Sequence, residues 1–300
     1  MDQKLGYSDE MYVGSKEERL RHFNNVNVDH YHQSVIYESI LDFVFKRKKY
    51  NTEEKVGFYH LIGDTGVGKS HMENLIRNDQ TLYENESSCE CYAVLSIHSP
   101  VPLSTKNEYL RYIYKSILFD LKLIPDNQEL PKGTIESIGV RVKDALVENK
   151  VKLIILDEAD NLWKMENYKS SSLLRIALEY LLDQTQIKLV LISSNRMPVT
   201  TLRDEIHFYP SYKLNNKRDE RNFQEVLTTF QSKLPFRENC NLINYWEYIL
   251  EKTDGRIGVL KKWLTLCVGD ALLNNKNHID YALLQKNEPN SIREIKDIHI

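Results

Sequence analysis

The chain has 300 residues, 41% hydrophobic and 28% charged, the composition of a soluble globular protein with a sizeable core. At roughly 100–200 residues per domain, the length predicts one large domain or a core with a smaller appendage. Lys and Arg number 40 against 43 Asp and Glu, a net charge of −3; this excludes holding nucleic acid by bulk charge, though not by a local basic patch.

The chain opens MDQKLGYSDE, polar and acidic where a secretory leader would be basic and then apolar, and residues 1–27 read as a loosely ordered polar segment. From Asp29 to Lys49 apolar residues recur at helical spacing, closing on the basic run Lys46–Lys49. Val56–Ile62, Cys91–Ile97, Val151–Leu156 and Ile187–Ile192 are short apolar runs of the kind that buried strands show. Helical patterns lie between and after them, at Lys69–Arg77, Thr105–Leu123, Thr134–Glu148 and Leu173–Gln184. This alternation predicts an α/β fold, a mostly parallel sheet covered by helices on both faces. Beyond Pro210 the pattern changes to helices alone, at Asp219–Leu234, Leu242–Thr253, Ile257–Leu273 and Ile279–Gln285. The expected division is therefore a nucleotide-binding core over 28–212 and a helical lid over 213–300. No apolar run approaches the roughly 20 residues of a membrane span. Cys89 and Cys91 form a lone C-x-C with no second pair, so reduced thiols are favoured over a zinc site, and a cytoplasmic protein is expected.

Gly63-Asp64-Thr65-Gly66-Val67-Gly68-Lys69-Ser70 fits G-x-x-x-x-G-K-[ST] in full, between a predicted strand and a predicted helix. Glycines let the backbone bend so that successive N–H groups face phosphate oxygens, and the following helix presents its positive end. All eight residues are assigned to ATP, with Lys69 reaching the β- and γ-phosphates and the Ser70 hydroxyl on Mg²⁺. A glycine turn with a solvated lysine is the bland alternative.

Lys152–Asp160 places Asp157 and Glu158 just past an apolar strand. The C-terminal strand ends of a parallel sheet line its ligand crevice. Asp157 is thus expected to hold Mg²⁺ through water, and Glu158 to polarise the attacking water. The spacing leaves room for one strand between the acidic strand and the loop strand. Asn195, in Ser193-Ser194-Asn195 after the next strand, could hold that water or the γ-phosphate; a simple turn residue is the other reading. Arg256, in Gly255-Arg256-Ile257-Gly258, starts a lid helix. It could swing onto the phosphates or remain a solvated helix-start arginine.

Together these motifs resemble the AAA+ ATPases, and within them the TniB/TnsC group of transposon target-selection ATPases, with phage Mu B protein more distant. The resemblance covers about 28–285 and is carried by Gly63–Ser70, VKLIILDEADNL at 151–162 and Lys188–Asn195. Two lid motifs narrow it: FQEVLTTFQSKLP at 223–235 and TDGRIGVL at 253–260. It implies ATP-dependent assembly of a homo-oligomer, a ring or helical filament, on double-stranded DNA. It further implies recruitment of a transposase and a target-selector protein, with hydrolysis driving disassembly. The family's DNA-facing positions fall here on Lys106, Lys132 and Thr134, for which an ordinary surface lysine and a helix cap are the competing readings. The family usually carries arginines after the sensor helix, one reaching a neighbour's ATP. In Leu202–Pro210 a histidine and aromatics replace the later one, leaving Arg203 as the trans-acting candidate with Arg196 behind it, and slow hydrolysis as the expectation.

Asp157-Glu158-Ala159-Asp160 also spells an RNA-helicase box, but the helices after Lys213 cannot supply a second RecA-like half. A metabolic P-loop kinase needs neither the Glu beside the Asp nor a helical lid. A clamp-loader-like or defence AAA+ switch is the stronger alternative. A dead scaffold conflicts with Lys69, Asp157 and Glu158 all being present.

Overall fold

The computed structural model describes residues 14–45, 58–82, 93–99, 105–125, 133–161, 171–194, 204–236 and 240–289. In chain order the elements are α1 (Lys16–Asn24), α2 (Tyr31–Phe45), β1 (Tyr59–Ile62), α3 (Lys69–Arg77), β2 (Val94–His98), α4 (Lys106–Asp120), α5 (Ile135–Glu148) and β3 (Leu153–Asp157). There follow α6 (Ser171–Thr185), β4 (Lys188–Ser193), β5 (Glu205–Phe208), α7 (Lys217–Ser232), α8 (Trp246–Thr253), α9 (Ile257–Leu273) and α10 (Tyr281–Lys286). Contacts divide the chain into two units. One holds the described residues of Val35–Asp64 and Lys69–Tyr209, the other those of Met1–Ser34, Thr65–Gly68 and Pro210–Ile300.

The first unit is a five-stranded parallel sheet in the order β2-β3-β4-β1-β5. One strand, β4, separates the acidic strand β3 from the loop strand β1, as the spacing predicts. Strands β1 and β3 are buried along their whole length, which is why they read as continuous apolar runs rather than alternating ones. Helices α4, α5 and α6 close over β2, β3 and β4 through a core that includes Tyr109, Ile113, Leu146, Leu156 and Leu191. Local chemistry sets where these helices begin. Thr105 and Glu108 form a capping box at α4, and the Thr134 hydroxyl caps α5 by accepting from Ser137 N–H at 3.2 Å.

Strand β5 was not among the four expected. It lies at the sheet edge, alternates half-buried and exposed residues, and is only four residues long, so it lacks the apolar run that marks the others. His207, which stands where the family resemblance leads one to expect arginine, belongs to this strand. Its ring stacks on Tyr59 with centroids 4.4 Å apart, and Ser39 Oγ is 3.3 Å from its Nδ1.

The second unit is helical. Phe23, Phe223, Phe230, Leu260, Trp263, Leu264 and Leu284 meet in its core, and the Trp263 indole donates to the Leu284 carbonyl at 3.1 Å. The polar start of the chain corrects an expectation here. Residues 16–24 are a helix, not loosely ordered, because Ser15 and Glu18 form a capping box and Phe23 is fully buried. The predicted helix at Leu242–Thr253 is likewise two pieces, a 3₁₀ turn at Leu242–Tyr245 and then α8. Cys240 and Cys267 are buried, whereas Cys89 and Cys91 lie outside the described residues.

A buried ionic cluster ties the sheet unit together away from the loop. Arg175 donates to Asp204 with both terminal nitrogens, at 2.8 and 2.9 Å, and to Glu179 at 2.7 Å. Asp204 has no side-chain exposure and accepts the Phe58 N–H at 3.1 Å, fixing the entry to β1 against β5. Removing one partner of such a pair leaves an uncompensated buried charge. Arg175→Met should therefore destabilise the protein by about 3–5 kcal/mol in urea unfolding; a loss indistinguishable from zero refutes that role.

Candidate active site

Parallel pairing brings three strand ends to one edge. Ile62 is opposite Ser193, Leu156 opposite Leu191, and His98 opposite Asp157. The phosphate-loop motif follows β1, the acidic pair begins with Asp157, the last residue of β3, and the polar end of β4 begins with Ser193. Backbone bonds hold them in register: Gly63 N–H donates to Ser193 O at 3.1 Å, and Ala159 N–H to Ile192 O at 2.8 Å.

The loop has the backbone its glycines permit. Gly66 and Gly68 adopt φ of +88° and +118°, where a side chain is strained. Val67 is buried, and Lys69 donates to the carbonyls of Gly63 and of Asp64, the latter at 2.9 Å. Ser70 is exposed in the first turn of α3. Left-handed glycines, an ammonium and a helix N-terminus are what a phosphate chain needs. Ser70 and Asp157 offer a hydroxyl and a carboxylate, hard oxygen donors of the kind that share Mg²⁺ with phosphate oxygens. The residues fit both groups.

Asp157 is 9% exposed, and its Oδ1 accepts the Glu158 N–H at 2.8 Å. Burial pushes its carboxyl above the usual carboxylate range, and the Glu73 charge adds to this. The Glu158 N–H, His98 and Lys69 pull the other way. His98 Nδ1 lies 3.7 Å from Asp157 Oδ2, and Glu73, buried in α3, accepts from Ser96 Oγ. Glu158 is exposed and adopts φ of +54°, a left-handed conformation that costs a non-glycine residue roughly 1–2 kcal/mol. That turn carries the Glu158 carboxylate beyond the buried strand and into solvent.

Asp160 and Asn161 are tying residues that sequence reasoning did not single out. Asp160 Oδ2 accepts from both the N–H and the hydroxyl of Ser194, at 2.8 and 2.7 Å, joining the ends of β3 and β4. Asn161 donates to Ser99 O at 3.3 Å, joining β3 to β2. No local pattern reveals these bonds, because Ser194 is distant in sequence and the polar letters also suit an ordinary helix start.

The other sequence-derived candidates belong to other elements. Arg256 is in the helical unit as N-cap residue of α9. Its guanidinium lies 3.5 Å from Asp254 Oδ2 and donates to Thr253 O at 3.4 Å. Thr134 spends its hydroxyl on the cap of α5, and Arg111 reaches the neighbouring Gly133 carbonyl at 2.6 Å. Lys106 is the first residue of α4. Asn195, Arg196, Arg203 and Lys132 lie outside the described residues.

Residues 52–198 match the family described as AAA domain. No curated protein matches the chain. Similar solved structures include Aeropyrum pernix ORC2 protein in its ADP form, with 14% identity, a TM-score of 0.61, and 93% of this chain and 74% of that one covered. Drosophila ORC bound to DNA gives 14% identity and a TM-score of 0.58, covering 96% and 68%. Aeropyrum pernix ORC1 protein in complex with DNA gives 16% and 0.57, covering 89% and 68%. These likenesses show the fold: the sheet unit matches a P-loop AAA+ core, and the loop and acidic pair lie within the matched residues. Among the described residues no helix is long and apolar enough to cross a membrane.

The raised Asp157 carboxyl has a measurable consequence. A carboxyl that binds its proton more tightly when folded than when unfolded opposes folding as pH rises through the raised value. Asp157→Asn should therefore raise the melting temperature of the nucleotide-free protein at neutral pH and leave it little changed at acid pH. Differential scanning fluorimetry across that range checks this, and a lower melting temperature at neutral pH refutes it.

Proposed function

We propose that the chain is an ATP-hydrolysing switch that assembles as a homo-oligomer on double-stranded DNA and recruits a transposase at a target site. The observation that carries the ATPase reading is the convergence of the phosphate-loop motif, the Asp157–Glu158 pair and the end of β4 on one sheet edge. Lys69 and the loop amides hold the phosphates, and Ser70 and Asp157 would hold Mg²⁺, which would neutralise charge on the phosphate oxygens. Glu158 polarises the water that attacks the γ-phosphorus, and Asn195 orients it. Arg256, from the start of α9, and Arg203, from a neighbouring copy, supply positive charge to the phosphates as bonds break.

DNA as partner is supported by fold neighbours whose structures are complexes with DNA. The transposition reading, with a target-selector protein as second partner, rests on the lid motifs at 223–235 and 253–260. Lys106 and Thr134 stand at the starts of α4 and α5, where helix amides and lysines grip phosphates without reading bases. Arg111, bonded to Gly133 O, adds a charge beside Thr134. If assembly depends on ATP but DNA is not required, the clamp-loader-like or defence switch becomes the better reading.

Lys69→Ala should abolish binding of a fluorescent ATP analogue. Glu158→Gln should retain binding and lose hydrolysis by roughly 10²–10⁴-fold, as removal of a positioned base does. Normal turnover in Glu158→Gln would remove the catalytic assignment. Negative-stain microscopy with duplex DNA and a non-hydrolysable analogue should show rings or filaments, and monomers there would overturn the DNA reading. In Lys106→Ala/Lys132→Ala the slope of log affinity against log salt should become shallower by about 2, one for each lost phosphate contact.

A further inference from the structure

We propose that the peptide group joining Gly66 to Val67 couples phosphate binding to helix α9, and that Gly258 is the positioning residue on the helix side. The proposal rests on the nucleotide reading of the loop. The free N–H groups in the first turn of a helix need acceptors, and the N-cap residue Arg256 supplies none through its side chain. The acceptor comes from the loop instead. Gly258 N–H donates to the Gly66 carbonyl at 2.7 Å.

The approach is too close for side chains on either partner. A Cβ at 258 would lie 2.7 Å from Gly66 O, 3.2 Å from its C and 3.3 Å from its Cα, all backbone atoms. A Cβ at 66 would lie 2.8 Å from Val259 Cγ2, a side-chain atom, on a residue whose φ is +88°. Thr65–Gly68 cluster with the helical unit, although Asp64 and Lys69 on either side cluster with the sheet.

A trans peptide points its C=O and N–H in opposite directions, and no described peptide bond is cis. With the Gly66 carbonyl on the amino end of α9, the Val67 N–H faces away from that helix. Val67 N–H is one of the amides the loop motif assigns to phosphate. One peptide group thus serves two partners. An anion on its N–H makes its carbonyl a stronger acceptor, and a peptide flip loses both bonds at once. Phosphate occupancy therefore tightens the cap on α9, and by linkage the cap raises phosphate affinity by the same factor. This coupling needs no side chain, which distinguishes it from any contact Arg256 makes.

The test uses the full chain, a non-hydrolysable fluorescent ATP analogue, and amide hydrogen exchange over 257–262. In the wild type the analogue should slow exchange at Gly258 and Val259. Gly258→Ala should bind it about tenfold more weakly, inside the roughly 5–150-fold range of such couplings, and lose that protection. Alanine is the better helix former, so a purely local helix effect would act in the opposite direction. Gly66→Ala should weaken binding too. Val259→Ala should restore part of that loss, because it removes the atom the new Cβ meets, yet restore nothing to Gly258→Ala, whose obstruction is backbone. Val259→Ala alone should bind within twofold of wild type, and the rescue remains decisive if Gly258→Ala fails to fold. Binding within twofold and unchanged protection in Gly258→Ala would overturn the coupling, as would failure of Val259→Ala to rescue Gly66→Ala. A wild-type chain that ignores the analogue would overturn the nucleotide reading itself.

Discussion

Parallel strands all deliver their last residues to the same side of a sheet, and this constraint organises the sheet unit. The loop after β1, the acidic pair at the end of β3 and the polar end of β4 come from residues 63–70, 157–158 and 193–194. Pairing alone would leave the segments beyond the strands loose. Asp160 on Ser194, Asn161 on Ser99 O, and Gly63 N–H on Ser193 O cross-tie them where the ladder stops. A constellation that must hold a reacting group within fractions of an ångström requires such support. The bonds that set this geometry are made by residues that need not touch substrate.

The site is built against local stability. Asp157 is a carboxylate kept in a buried position near another carboxylate, Glu73, and Glu158 adopts a left-handed backbone. Either feature costs free energy, and under the proposed function the first serves a cation and the second a water molecule. Strands β1 and β3 are buried throughout, so the core carries the cost that the edge imposes.

Much of this was legible in the sequence because the signals are local. Eight consecutive residues spell the loop, and fully buried strands leave unbroken apolar runs. What was not legible depends on distant partners. Strand β5 has neither an apolar run nor length, and its place is set by β1 and by Tyr59 stacking on His207. Asp160 reads as one letter of an acidic box until Ser194 is seen beside it. The helix at 16–24 is polar on most positions, and its burial is confined to Phe23. Thr134 was legible as a cap, and its hydroxyl caps α5; a phosphate contact there would have to use the helix amides or a neighbouring lysine.

Gly258 shows how a residue can be readable as a motif without its reason being readable. In G-R-I-G-V it belongs to a motif that carries a resemblance, and nothing nearby in the sequence requires glycine at a second helical position, where alanine is the better former. The requirement comes from Gly66, whose carbonyl occupies the space a Cβ would need. Gly66 is constrained twice over. Its φ of +88° suits the phosphate loop, and its lack of a side chain leaves room for Val259. The two glycines therefore satisfy one contact, and a substitution at either is felt at the other. A phosphate loop whose outward carbonyl was solvated would need glycine at 66 for its own turn and no glycine at 258 at all. That the chain carries both follows from the loop and the helix sharing a peptide group.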